Sequence, residues 1–312
     1  MRKVNLATCE LTVDQGQGGF HFRGEQLGER LNGKLLGAAI YEMGDGETNW
    51  PYHSHYGVEE WMYVVSGAPV LRDPSGRRPL TPGTLVAFTT GPAGSHTVAG
   101  PGRVVIFSAG DDGWPSAHAS VYPDSDKIGV ARMLFRRADA LEAWTLDPPQ
   151  PTPESVAEPG PGQPCPSVEL TATHGRSLAG LLGPRTWAPT LWELAPGEET
   201  APYHYTHRRE EWALVVSGTP TLRRPDGDEL LERCDLVSFP EGPHGAHRLS
   251  NHAREPARLL VISTPVGSSM STVYPEEGTI VIRLSDREGF RFRLSDRIQD
   301  YWDGEPGAYQ PA

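Results

Sequence analysis

The sequence predicts an all-β protein built as two tandem barrels or sandwiches, and three observations carry that expectation. The chain repeats itself: Pro51 to Gly67 reads PYHSHYGVEEWMYVVSG and Pro202 to Gly218 reads PYHYTHRREEWALVVSG, identical at ten of seventeen positions without a gap. Short runs rich in Val, Leu, Tyr and Trp recur at close intervals, among them WMYVVSG, TLVAFTT, RVVIFSA, WALVVSG, DLVSFPE and RLLVIST. Turn signals such as DPSG, TPG and RPDGD separate them, a pattern of short strands rather than of a parallel α/β sheet.

With 312 residues, two domains can each bury a core. The repeat places an N-terminal domain at 1–146 and a C-terminal domain at 167–312. Between them, Asp147 to Pro166 (DPPQPTPESVAEPGPGQPCP) is dense in proline and poor in large apolar residues, which predicts an extended, solvated linker with Cys165 exposed in it. Helix signals are few: Ala138 to Trp144 (ADALEAW) and Asp296 to Trp302 (DRIQDYW) predict a short helix at the end of each half.

Composition narrows the partners. Forty acidic against 28 basic residues leave a net charge of −12, which disfavours nucleic acid or an anionic membrane surface. A small molecule or another protein fits better, and a homodimer is compatible with the duplicated plan. The N-terminus MRKVNLATCELTVDQG has no signal-peptide core and no segment approaches a membrane span, so a soluble, cytoplasmic protein is expected. Cys9, Cys165 and Cys234 are odd in number and form no CxxC pair, suggesting neither a disulfide framework nor a thiolate metal site.

The chemistry lies in the repeat. His53 and His55 stand two apart on an expected strand, so both imidazoles leave one face. Glu60 follows at a distance that lets the next strand carry its carboxylate across, and His96 arrives from a later strand. Three imidazoles and one carboxylate suit a divalent first-row metal with positions left for water, substrate or oxygen. The bland alternative is a hydrogen-bonded polar interior without metal. Tyr52, Tyr203, Glu59 and Glu210 should face away from the ligands, the tyrosines packing and the glutamates solvated or salt-bridged. Trp61 and Trp212 suit a shared core or interface, and His21, His118 and His174 carry no spacing signal and suit the surface.

On those residues the chain resembles the cupin superfamily and, being duplicated, the bicupins. The motif HxHxxxxExxxxxxG is met by His53, His55, Glu60 and Gly67; Pro82-Gly83, Gly94 and His96 resemble the second motif, with Thr89 where proline is usual. The second half keeps His204, Glu211 and Gly218, then Pro240, Gly245, His247 and Asn251, but has Thr206 in place of the second histidine and His207 one position later. The resemblance implies two tandem jelly-roll β-barrels, each with a metal site inside. The first set is His53, His55, Glu60 and His96. The second, His204, Glu211 and His247, is the less expected to be occupied, because alternation turns His207 outward.

The cofactor expected is a divalent transition metal, whether Fe, Mn, Ni, Cu, Co or Zn. The leading expectation is a metal-dependent enzyme, dioxygenase-like, acting on a small polar organic molecule in the N-terminal barrel; lyase or isomerase chemistry also suits the resemblance. Its rival is a non-catalytic binding or structural bicupin whose metal only staples the barrel. No general acid or base is identifiable in the sequence.

Overall fold

The computed structural model describes residues 1–110, 118–130, 133–141, 162–173, 177–183, 189–264, 270–285 and 287–297. They form two antiparallel β-barrels. The first is built on a seven-stranded sheet in the order Ser167–Glu169, Thr84–Phe88, Val58–Gly67, Gly102–Gly110, Leu36–Met43, Phe20–Gln26, Val13–Gln17. Facing it are a four-stranded sheet (Met133–Arg136, Lys127–Val130, Ala119–Tyr122, Ser54–Tyr56) and a three-stranded one (Thr97–Ala99, Val70–Asp73, Gly76–Pro79). The second barrel repeats the plan. Its main sheet runs Arg2–Asn5, Asp235–Phe239, Glu211–Ser217, Ala257–Ser263, Thr190–Leu194. Its four-stranded sheet runs Tyr205–His207, Met270–Tyr274, Thr279–Arg283, Gly289–Arg293.

The central strands are apolar on both faces because both faces are buried. From Val58–Gly67, Met62 and Val64 enter the interior of the first barrel, while Trp61, Tyr63 and Val65 join a cluster shared with Trp212, Leu214 and Val216 of the second. Ala213 and Val215 fill the second interior. Strict alternation thus sorts each strand between its own core and a common interface. Trp61 and Trp212 are fully buried there, as expected of shared core residues, and the Phe107 and Trp212 rings meet edge-on at 6.5 Å between centroids. At roughly 25 cal/mol per Å² of apolar surface, such a side chain contributes about 2–3 kcal/mol to holding the barrels together.

Each main sheet is completed by a strand from the other half of the chain. Arg2–Asn5 pairs with Asp235–Phe239, and Ser167–Glu169 pairs with Thr84–Phe88. One arginine in each barrel grips the arm that crosses over. Arg103 donates to the carbonyls of Ala7 (2.5 Å) and Cys9 (2.7 Å), and Arg258 donates to those of Leu170 (3.0 Å) and Thr171.

The arm overturns one expectation. Cys165 is not exposed but 1% accessible, because the chain before the Ser167–Glu169 strand docks on the first barrel: its N–H donates to Asp73 (3.1 Å) and its carbonyl accepts from Arg78 (3.0 Å). Linker residues 147–161 lie outside the described residues. Of the two expected terminal helices, the described portions are single 3-10 turns at Arg137–Asp139 and Leu294–Asp296, with 142–144 and 298–302 outside the described residues. The α-helices among the described residues are the single turns Leu27–Arg30 and Ala179–Leu182. Among the described residues, no helix is long and apolar enough to cross a membrane.

Candidate metal centres

In the first barrel the backbone brings the candidate ligands together before any side chain is considered. His53 and His96 form an isolated antiparallel bridge, each N–H donating to the other's carbonyl at 3.1 and 2.8 Å. His55 follows two residues on, and Glu60 comes from the adjoining main-sheet strand with its side chain on the interior face. A tight turn delivers His96: a Cβ on Gly94 would fall 1.8 Å from the Thr89 carbonyl oxygen, so only glycine fits. Gly245 repeats this 1.7 Å from the Pro240 oxygen, which shows that Thr89 serves as well as proline in that backbone role.

The hydrogen bonds decide which nitrogen of each ring faces the centre. His53 Nδ1 lies 2.7 Å from the Pro51 carbonyl and His96 Nδ1 lies 2.9 Å from that of Gly94. A carbonyl only accepts, so both Nδ1 atoms carry protons, and in the neutral ring each Nε2 presents its lone pair inward. His55 is oriented likewise by Ser120 Oγ, 3.0 Å from its Nδ1. The inward atoms then crowd: His53 Nε2 to His55 Nε2 is 3.1 Å, His55 Nε2 to Glu60 Oε2 is 3.2 Å, and His96 Nε2 to Glu60 Oε2 is 3.4 Å.

Ligands about 2.1 Å from one ion would be separated by about 3.0 Å along an octahedral edge or about 3.4 Å along a tetrahedral one, so the spacing matches a shared cation. Imidazole and carboxylate donors suit the divalent transition series.

Electrostatics agree. Burial, with the neighbouring His96 and His55, pushes His53 down to about 3, so the ring stays neutral and able to ligate. Burial would raise Glu60, but His55 and His96 outweigh it and hold the carboxyl well below its usual range. Burial would lower His55, and the Glu60 carboxylate reverses this. The His96 ring stacks on Phe88 at 3.7 Å, which fixes its tilt.

The second barrel reproduces the frame with one ligand missing. His204 and His247 form the same bridge and donate Nδ1–H to Pro202 (2.9 Å) and Gly245 (2.8 Å). Glu211 Oε2 is 3.9 Å from His204 Nε2, and ligand atoms of His204, Glu211 and His247 lie within 4.8 Å of one another, as do those of His53, Glu60 and His96. Burial drives His247 down to about 4. As alternation requires, Thr206 is buried and His207 exposed. Beside this trio opens a cavity of about 250 Å³, lined in part by His204, Thr206, Arg209 and Glu211.

Other expectations fare unevenly. Tyr52 and Tyr203 do pack, beneath the guanidinium groups of Arg72 (4.0 Å) and Arg223 (4.9 Å). Glu59 and Glu210 face away from the ligands but are buried rather than solvated, at 2% and 6% exposure. His118 is not a free surface residue: it is half-buried with its ring centroid 5.2 Å from that of His55, and burial, then His55, lowers its basicity. No spacing signal marks it, because it reaches the site only through the strand Ala119–Tyr122, which pairs with Ser54–Tyr56. His21 is partly exposed between Asp14 and Glu47, and His174 lies outside the described residues.

The family model described as "Cupin domain" matches residues 190–263, and a variant of salicylate 1,2-dioxygenase from Pseudoaminobacter salicylatoxidans in complex with gentisate matches over 81% of this chain and 76% of its own, at 17% identity and a TM-score of 0.52. Residues 190–263 thus carry a cupin domain, and the two barrels together share the fold of that solved structure. Oxalate decarboxylase from Bacillus subtilis is similar at 15% identity, over 84% of this chain and 76% of its own, with a TM-score of 0.48. A sugar phosphate isomerase of the cupin superfamily from Silicibacter pomeroyi is 22% identical over 38% of this chain and 75% of its own, with a TM-score of 0.36. No curated protein matches the sequence.

Proposed function

We propose that this bicupin is a metal-dependent enzyme, a dioxygenase-like oxidoreductase acting on a small polar organic molecule, with its active metal held in the N-terminal barrel by His53, His55, Glu60 and His96. The observation that carries this reading is the convergence of three imidazoles and one carboxylate, whose facing atoms stand 3.1 to 3.4 Å apart in three successive pairs, a spacing that one shared cation would satisfy. When bound, such a metal supplies open positions for substrate or dioxygen and Lewis-acid polarisation. The protein's own part is orientation. The Pro51 and Gly94 carbonyls hold the Nδ1 protons outward, Ser120 steadies His55, and Phe88 and Tyr122 wall the His96 and His53 rings.

A metal that merely staples the barrel is less well supported, because apolar clusters and exchanged arms already close the fold without it. Metal analysis of the purified protein beside a His53→Ala, His96→Ala double variant tests the reading. Loss of about one ion per chain supports it. Equal metal content in the two proteins removes its basis.

A further inference from the structure

The two barrels have diverged in what surrounds their ligands, and the divergence has a chemical sense. The pairing of Tyr205–His207 with Met270–Tyr274 matches that of Ser54–Tyr56 with Ala119–Tyr122, which superimposes Thr206 on His55, Thr272 on Ser120 and Met270 on His118. Imidazoles in the first barrel are therefore replaced by a hydroxyl and a thioether in the second. At the same time Arg209 stands where the first barrel has Val58. Arg283, placed opposite Met270 in the strand register, brings a second guanidinium to the same cavity.

That cavity has a surplus of positive charge in a chain whose net charge is −12. Glu211 is its one lining carboxylate, and it already faces Arg209 at 3.6 Å. Arg283 has no carboxylate partner among the described residues, whereas Arg223 and Arg291 of the same barrel pair with Glu276 and Glu277. A cation at His204, Glu211 and His247 would add to the surplus. Met270, Val281 and Tyr274 give the same cavity an apolar wall, and about 250 Å³ is roughly eight waters' worth of space.

We propose that the second barrel binds a small organic acid, its carboxylate held by Arg209 and Arg283 and its carbon skeleton against Met270 and Val281. The guanidinium fork matches a carboxylate in shape as well as charge. A purely inorganic anion would leave the apolar wall unused. Thr206, in place of a fourth ligand, leaves the side of the trio that faces the cavity open. The site stands independently of the metal set in the first barrel.

Calorimetric titration of the intact protein with malonate, with neutral malonamide and with sulfate is the test. Saturable malonate binding is expected, at least tenfold tighter than either control, weakened at least tenfold in Arg283→Gln and again in Arg209→Gln, and unchanged in His96→Gln. Arg283 is exposed, so its replacement leaves the fold intact and keeps the test decisive even if Arg209→Gln misfolds. Malonate binding no tighter than malonamide, sulfate binding as tight as malonate, or wild-type affinity in Arg283→Gln would each overturn the proposal.

Discussion

Ser120 contributes no ligand atom, yet its Oγ lies 3.0 Å from His55 Nδ1 and sets the orientation of that ring. Groups in this position tune metal affinity through the ligand they hold. Ser120→Ala is expected to weaken metal binding about 10- to 100-fold with little change in stability, measured by chelator competition; unchanged affinity would remove Ser120 from the site. The histidines also sort by protonation. In metal-free protein, NMR titration should find His53 neutral down to about 3 and His247 down to about 4, both from burial. Hydrogen bonds to Glu47 and then Asp14 raise His21 instead. The signs oppose. A lowered histidine contributes stability above the unfolded value near 6.5 that is lost as pH falls toward its folded value, whereas the His21 contribution is complete below about 6.5 and fades as pH rises through its raised value.

At the scale of the strand, the exchanged arms set stability. Arg103 is buried and makes two charge-assisted bonds to the carbonyls of Ala7 and Cys9. Arg103→Ala should cost about 2–4 kcal/mol in urea unfolding and expose the N-terminal arm to protease; a loss below about 1 kcal/mol would show that the arm holds itself. The exchange was hidden in the sequence for a physical reason. RKVN and SVE are too short to show alternation, and a strand that completes another barrel's edge carries its signal in the register of its partner. Within the repeat the reverse holds: alternation predicts that Glu59 faces away from the candidate ligands and that His207 turns outward, and the strands carry both that way. Cys165 is buried where the sequence predicts exposure because proline density describes the linker but not the point at which the chain docks again.

Across the whole molecule, the ligand-bearing strand of the second barrel is tied to the first. Glu210, next to the candidate ligand Glu211 but on the opposite face, accepts N–H bonds from Lys34 (3.0 Å), Leu35 (2.8 Å) and Leu36 (3.3 Å) and from the Trp212 indole (2.9 Å). Its role as a carboxylate in a ring of amides could not be foreseen, since its partners lie some 175 residues away in sequence. Removing the charge with Glu210→Gln should cost about 2–4 kcal/mol and split a single calorimetric transition into two as the barrels uncouple; one unshifted transition would show that the apolar interface alone joins them.

In the proposed site, four side chains of the first barrel share one metal ion. Anomalous diffraction collected at the absorption edge of the metal found in the purified protein tests it most directly. A shared ion gives a peak about 2.0–2.2 Å from the Nε2 atoms of His53, His55 and His96 and a Glu60 oxygen. A metal-bearing protein whose peaks all lie elsewhere, with those four groups turned apart, would contradict it.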